Sequence, residues 1–232
     1  MATYLGVDGC PSGWFAVWIE EGVLQGRIFT SLSELCAAHQ DAARILIDIP
    51  LGLLADTERN VESRVRARLG PRRSSVFPVP CFAAAFADDY PSANAINGQQ
   101  LGKGLSKQAW FLTPKICEAN SLLADNSRAR SIFGESHPEL TFAHFAGAPM
   151  ANNKKSEEGV IERLSQLKSR LPEVEAFVAQ QLLTYKRREL VLDDCLDALA
   201  LLAAAEHAVP MDDPASQLGW GGVPIRMWVP AS

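Results

Sequence analysis

The sequence predicts a single α/β domain built on a mixed sheet, in which three antiparallel strands precede two parallel strands and helices flank the sheet. Three observations support this prediction. Short apolar segments separated by turn residues fill the start of the chain, an unbroken apolar run follows a helical segment, and the last apolar segment has helical length. A length of 232 residues and a hydrophobic content of 47% suit one such domain, spanning residues 1–232, with a sizeable core.

Three consecutive strands are expected at the start of the chain, at residues 3–7, 14–20 and 23–30. Turn-forming residues between Gly9 and Gly13 separate the first two strands, and Glu21-Gly22 separates the second from the third. Connections this short join antiparallel neighbours. A helix is then expected over residues 31–40, because a serine at its start supplies an N-terminal cap.

The fourth predicted strand is an apolar run at residues 43–49 that contains Asp48 and is closed by Pro50. Such a run suits a strand buried on both faces. Because a helix separates it from the first three strands, it is expected to join the same sheet as a parallel strand. The first strand ends at Asp8, and parallel neighbours end at the same edge of a sheet. We therefore expect Asp8 and Asp48 to lie close together.

The rest of the chain is expected to be mostly helical. A helical insertion is predicted at about residues 56–128, before a fifth strand at residues 130–137. Three helices follow, at residues 157–170, 172–183 and 193–208, and a glycine-rich tail at residues 220–229 ends the chain. No segment has the composition of a linker between domains.

The last predicted helix carries the sharpest chemical signal. Between Cys195 and Ala205 every residue except Asp197 is apolar, so this helix is expected to be buried. A buried carboxylate requires a cation or several hydrogen-bond donors. Asp194 lies three residues before Asp197 and projects from the same helix face, whereas Asp193 is expected to cap the helix N-terminus.

Four carboxylates, those of Asp8, Asp48, Asp194 and Asp197, are thus expected to converge and to repel one another. Sites made only of oxygen ligands favour Mg²⁺ or Mn²⁺. Two such ions, about 3.5–4 Å apart, are a known device for phosphoryl displacement. Ordinary structural roles remain open for three of the residues: Asp8 and Asp48 as loop caps, and Asp194 as a partner of the helix dipole.

Further polar residues are expected near the same site. Glu135, His137 and Glu139 lie at the end of the predicted fifth strand, where one of them is expected to act as a ligand or proton shuttle, or alternatively to cap the next helix. The side chains expected to bind phosphate are those of Arg68, Arg72, Arg73, Lys107, Lys115, Lys154 and Lys155. By contrast, Arg59 and Arg64 are expected on a solvated helix face.

Composition narrows the class of protein and its location. A net charge of −5 argues against non-specific coating of nucleic acid, but leaves room for one local basic face. The five cysteines are scattered, which predicts free thiols in a reducing compartment. The first residues lack the pattern of a signal peptide, and no apolar run approaches the roughly 20 residues that span a bilayer. We therefore expect a cytoplasmic protein without a membrane partner.

The order of strands and helices, with aspartates on the first strand, the fourth strand and the last helix, resembles the ribonuclease H-like fold. The segment Asp194-Cys-Leu-Asp197-Ala-Leu is similar to the closing helix of bacterial Holliday-junction resolvases, where Asp-x-x-Asp-Ala-Leu supplies two metal ligands. Nearly the whole chain also resembles domain of unknown function family 429, a bacterial and archaeal family described as predicted nucleases. The matching segments are Gly6-Val-Asp8-Gly-Cys-Pro-Ser-Gly-Trp14, Ile47-Asp-Ile-Pro50, Arg68-Leu-Gly-Pro-Arg-Arg-Ser-Ser-Val-Phe-Pro78, Ser106-Lys-Gln-Ala-Trp110, His137-Pro-Glu139, Lys154-Lys155-Ser156 and the final aspartate helix.

The resemblance implies a metal-dependent nuclease whose partner is nucleic acid, with a homodimer left open. In such a site Asp8 would bridge two ions, Asp48 would complete one, and Asp194 or Asp197 the other. Two alternatives remain. The glycine-rich segment at residues 8–13 loosely resembles the phosphate-gripping turn of an actin-like phosphotransferase or ATPase. The second alternative is a non-catalytic binding module that keeps the ribonuclease H-like fold.

Overall fold

The computed structural model describes residues 2–211 and 217–231. Within these residues the main sheet has seven strands, which lie side by side in the order β3-β2-β1-β4-β5-β9-β6. In chain order they are β1 (Tyr4–Cys10), β2 (Gly13–Glu20), β3 (Val23–Phe29), β4 (Arg44–Ile47), β5 (Phe133–Ser136), β6 (Ala208–Pro210) and β9 (Met227–Pro230). A separate two-stranded ribbon pairs β7 (Gln217–Leu218) with β8 (Pro224–Ile225).

The pairing confirms the mixed α/β sheet. β1, β2 and β3 are antiparallel neighbours, whereas β4 lies parallel to β1 and β5 lies parallel to β4. Beyond the five expected strands, β9 adds a third parallel neighbour and β6 an antiparallel edge strand. From the sequence, β9 was expected to be part of the glycine-rich tail, and the first residue of β6 was expected to end the last helix. Both strands are too short, at four and three residues, to show a clear alternating pattern.

The helices in the described residues are α1 (Leu32–Ala38), α2 (Asn60–Leu69), α3 (Phe82–Ala85), α4 (Tyr90–Leu101), α5 (Lys107–Asp125), α6 (Ser127–Ile132), α7 (Pro138–Ala146), α8 (Glu157–Lys168), α9 (Val174–Thr184) and α10 (Leu192–Ala205). Single 3₁₀ turns occupy Gly70–Ser75 and Trp220–Gly222. None of these helices is both long enough and apolar enough to cross a membrane. Residues 130–132, expected to open the fifth strand, instead end α6, which Asn126 caps by accepting the backbone N–H of Ala129.

Two layers of helices cover the sheet. Leu5 and Val7 of β1 pack in the same cluster as Ile116 and Leu123 of α5, so one face of the sheet lies under α5. Gly6 faces the other way, onto α10: a Cβ atom at this position would lie 2.0 Å from the carbonyl oxygen of Ala198. The absence of a side chain at Gly6 therefore allows the α10 backbone to rest directly on β1. The two faces are called the α5 face and the α10 face below.

Candidate metal centre

Asp8 and Asp48 lie side by side on the α10 face, at the carboxyl ends of β1 and β4. The register pairs Val7 with Ile47, and the backbone N–H of Asp48 donates to the carbonyl of Val7 at 3.1 Å. Side chains alternate along a strand, so Asp8 shares the α10 face with Gly6, two residues earlier. In the same way, Asp48 lies two residues after Leu46, which packs against α10, so its side chain shares that face. The expected proximity of the two aspartates is confirmed.

The last helix brings two further carboxylates to this edge. α10 is buried from Cys195 to Leu202, as predicted, and Asp197 within it is 5% exposed. The expected N-cap role of Asp193 is wrong, because the helix begins at Leu192. Asp194 instead supplies the hydrogen-bond acceptor at the start of the helix: its Oδ2 accepts the backbone N–H of Val191 at 3.3 Å. A carboxylate in the first turn also interacts favourably with the helix dipole.

Burial and neighbouring negative charge raise the pKa of three of these carboxylates, those of Asp8, Asp48 and Asp194. Burial, followed by the charges of Asp48, Asp197 and Asp194, raises the pKa of Asp8 well above its ordinary value. Burial and the charge of Asp197 raise the pKa of Asp48 to about 7. The same two causes raise the pKa of Asp194 to about 6, against the hydrogen bond from the α10 N-terminus. These aspartates thus form one electrostatically coupled group, called the aspartate cluster below.

A lysine supplies positive charge to the aspartate cluster. The Nζ atom of Lys154, from the loop between α7 and α8, lies 2.8 Å from Oδ2 of Asp197 and 3.9 Å from Oδ2 of Asp193. Burial lowers the pKa of Lys154, but Asp197 and Asp8 raise it more, so the ammonium stays charged. From the sequence, Lys154 was expected to bind phosphate. Its pairing with Asp197, 43 residues away, leaves no trace in local sequence pattern.

The loop that carries this lysine is held in place by α8. The carboxylate of Glu162 accepts the backbone N–H groups of Ala151 at 2.7 Å and of Asn152 at 2.9 Å. A Cβ atom on Gly159 would lie 1.8 Å from the carbonyl oxygen of Asn153, so only glycine permits the loop to approach α8 this closely. The position of the ammonium is therefore set by the fold around it.

Arg72 also supports this loop, through its backbone carbonyls. Its guanidinium donates to the backbone carbonyl of Met150 at 2.8 Å and to that of Ala151. The side chain expected to bind phosphate is thus engaged with backbone. Arg73, its neighbour in the same 3₁₀ turn, is exposed. The segment 68–78, one of the quoted family motifs, therefore has a visible structural role in positioning the lysine loop.

The chemistry of the aspartate cluster fits a hard divalent cation. All its ligand atoms are oxygens, the carboxylates are undersupplied with positive charge, and an ammonium ion already contacts one of them. Within residues 2–211 and 217–231, however, no three such side chains adopt metal-binding geometry. The four carboxylates that could bind a metal ion are present, but one oxygen of Asp197 already accepts a hydrogen bond from the ammonium of Lys154.

Glu135 lies on the opposite face of the sheet, so its expected role as a ligand is wrong. In the register of β4 and β5, Glu135 pairs with Ile47, whose side chain packs on the α5 face. Asp48 is the next residue along the chain, so its side chain points to the other face. Both carboxylate oxygens of Glu135 lie 2.6 Å from Nη2 of Arg59, and one accepts the backbone N–H of Leu51 at 2.8 Å. The side chain of Arg59 is only 2% exposed, so the expectation of a solvated helix face is also wrong.

Glu139 forms a buried ion pair with Arg163 of α8 at 2.7 Å, and its charge acts on His137, so a supporting role for it stays a prediction. His137 remains beside the cluster. Its Nδ1 accepts the backbone N–H of Leu140 at 3.4 Å, which confirms the alternative of a helix cap. Burial lowers the pKa of His137, while the charge of Asp197 acts in the opposite direction. A proton-shuttle role for His137 stays a prediction.

The other basic residues expected to bind phosphate are dispersed. Arg68 borders a separate groove with Leu140 and His144, and Lys107 is exposed at the start of α5. Lys115 comes closer to the cluster. Its Nζ donates to the carbonyl of Gly13 at 2.5 Å, and Asp8 is among the charges that raise its pKa, although burial lowers that pKa overall.

A groove of about 640 Å³ begins at Lys154, next to the aspartate cluster. Its lining includes Lys155, Arg187 and Asp193 among apolar residues from α8 and the start of α10. Arg187 belongs to the exposed run Lys186-Arg187-Arg188, which ends near the start of α10. This run was not among the residues expected to bind phosphate, although three successive basic residues just before the aspartate helix are visible in the sequence.

Comparison with known proteins identifies the family. A family model matches residues 6–216, and the family, DUF429, is described as protein of unknown function. The chain belongs to the DUF429 family. This confirms the resemblance noted in the sequence, and the match covers the aspartate cluster, Lys154 and Arg187 of this DUF429 protein. No curated protein and no solved structure matches the chain.

Proposed function

We propose that this protein is a divalent-metal-dependent nuclease, which hydrolyses phosphodiester bonds of nucleic acid. The observation that carries the proposal is the aspartate cluster: carboxylates from β1, β4 and α10 are buried together although burial and neighbouring negative charge raise the pKa of Asp8, Asp48 and Asp194. Burying unbalanced like charges destabilises a fold, so their retention at one edge of the sheet calls for a functional cation.

Asp8, Asp48, Asp194 and Asp197 would hold Mg²⁺ or Mn²⁺. When bound, such an ion supplies a nucleophilic water of lowered pKa and stabilises charge on the phosphate. The chain's own groups have complementary tasks. The ammonium of Lys154 contributes positive charge beside the reacting phosphate, and His137 is placed to accept or donate a proton.

Nucleic acid is the substrate class best matched by the groove beside the cluster. Lys155 and Arg187 lie on its rim, and Lys186 and Arg188 flank Arg187 as exposed cations. Because the chain as a whole is acidic, with a net charge of −5, this local concentration of basic residues supports a negatively charged substrate at the groove. All five cysteines are free thiols, which supports the proposed cytoplasmic location.

Cleavage assays test the proposal. The protein, Asp48→Asn and Asp8→Asn should be incubated with single-stranded and duplex DNA and RNA in Mn²⁺ or in chelator. We expect cleavage by the parent in Mn²⁺ only, and a loss of at least about 100-fold in both variants, on the scale of removing one electrostatic stabiliser. Asp56→Asn, an exposed aspartate in a loop, is the matched control and should retain activity.

The same assay separates the alternatives. ATP hydrolysis abolished by Asp8→Asn, with no cleavage of any nucleic acid, would replace the nuclease by a phosphotransferase or ATPase. Binding of nucleic acid without turnover of either substrate would indicate a non-catalytic module.

A further inference from the structure

We infer that the metal centre holds one divalent ion, with the ammonium of Lys154 occupying the place of a second. The inference rests on the proposed function, because it concerns the ion capacity of the same aspartate cluster. It assigns Lys154 as a positioning and charge-supplying residue of the centre, a role different from the phosphate binding expected from sequence.

Contact geometry is the first argument. The Nζ atom lies 2.8 Å from Oδ2 of Asp197, whose side chain is 7% exposed. A magnesium ion requires its oxygen ligands at about 2.0–2.1 Å. An ion bound to the same oxygen would therefore lie within a few ångströms of the ammonium. With a second divalent ion about 3.5–4 Å from the first, as two-metal sites require, three cations would share one small cluster. Asp48 and the Oδ2 atom of Asp8, whose Oδ1 accepts the backbone N–H of Gly9 at 2.8 Å, remain for a single ion.

The second argument is that the lysine is built into its position. Its loop is bonded through backbone groups to Glu162 of α8, and Gly159 allows the contact. Arg72 holds the same loop through the Met150 carbonyl. A lysine that merely replaced an absent metal would not require a loop held both through its N–H groups and through its carbonyls. The fold fixes the ammonium beside Asp197 independently of any ion.

Charge balance agrees with this assignment. When ionised, the four clustered aspartates and Lys154 together carry −3. One divalent ion leaves −1, whereas two reverse the charge to +1. Without the lysine, two ions would be needed to reach neutrality. The Lys154 side chain also lines the basic groove, so its ammonium supplies positive charge beside that groove while it pairs with Asp197.

The test counts Mn²⁺ ions by calorimetry and looks for magnetic coupling between ions by electron paramagnetic resonance. The proteins are the parent, Lys154→Met, which removes the charge at similar length, and Lys154→Arg, which keeps it. Lys155→Met is the matched control, since it removes an exposed lysine from the same loop. We expect one uncoupled ion in the parent, Lys154→Arg and Lys155→Met, and two coupled ions in Lys154→Met.

Each outcome decides a different point. Two ions in the parent would overturn the inference while supporting the metal centre. One ion in both the parent and a folded Lys154→Met would show that the lysine does not limit capacity, and would also overturn it. No ion in any protein would remove the proposed function itself. If circular dichroism shows that Lys154→Met does not fold, the count decides alone: a single ion in both the parent and Lys154→Arg supports the inference, and a second ion in either overturns it.

Discussion

Two buried charged clusters lie on opposite faces of the same sheet edge, and they are built on opposite principles. On the α5 face, Glu135 is bound through both oxygens by Arg59, which also lies 3.0 Å from Glu62. On the α10 face, the aspartate cluster has four carboxylates and one close ammonium. The first cluster is nearly balanced in charge and well supplied with donors, whereas the second has an excess of negative charge.

The difference separates structural from functional burial of charge. A balanced cluster is stable without any ligand and loses stability when one partner is removed. An unbalanced cluster is destabilised by its own repulsion and gains from protons or cations. The buried pair of Glu139 and Arg163 belongs to the first kind. The aspartate cluster, by contrast, has an unmet electrostatic demand that a divalent ion can satisfy.

The largest expected effect comes from breaking the balanced cluster. Arg59→Ala leaves Glu135 and Glu62 buried without their cation, and we expect a loss of about 3–5 kcal/mol in the free energy of unfolding. Urea denaturation measures it. Arg27→Ala is the control, because it removes an exposed pair with Glu34 and should cost only about 0.2–1 kcal/mol. Equal losses in the two variants would mean that the buried pair is not a structural element.

An intermediate effect is expected from the opposite operation on the aspartate cluster. Asp8→Asn removes one of the repelling charges, so stability in chelator should stay unchanged or rise. At 100 times the Kd, Mn²⁺ should stabilise the parent by about 2.7 kcal/mol and the variant much less. Melting curves with chelator and with Mn²⁺ measure both changes. A variant that is destabilised in chelator yet responds to Mn²⁺ like the parent would contradict the distinction between the clusters.

The α10 side of this comparison could be predicted from sequence, and the α5 side could not. Asp8 and Asp48 follow from two apolar strands joined through a helix, and Asp197 from a helix that is apolar all round. The face of Glu135 depends on register, where a shift of one residue reverses the direction of a side chain. A strand of four residues provides too little alternation to settle it.

Long-range ion pairs were the second source of error. Arg59 reaches Glu135 across 76 residues, and Lys154 reaches Asp197 across 43. Neither pair has a helical or strand spacing by which it could be recognised. Charged residues in loops and short helices were therefore interpreted as solvated or as phosphate ligands, when tertiary packing directs several of them inward.

The effect most specific to unbalanced charge is on pH dependence. The pKa of Asp48 is raised from 3.8 to about 7 by burial and by Asp197, so between these values the native state binds a proton that the unfolded state has released. The stability conferred by this protonation is fully present below pH 3.8 and is lost as the pH rises through 7.

Asp48→Asn resembles the protonated residue at every pH. In chelator, the variant should therefore become progressively more stable than the parent as the pH rises from about 4 to 7, by at most about 1.4 kcal/mol per pH unit, and the difference should level off above pH 7. Urea denaturation at each pH measures the gap, and Mn²⁺ provides an internal control. A bound ion favours the ionised carboxylate, so saturating Mn²⁺ should close or reverse the gap by stabilising only the parent. A gap that is constant across this range, in chelator and in Mn²⁺ alike, would show that Asp48 is not part of a repelling group and would leave the two clusters without the difference in charge balance that distinguishes them.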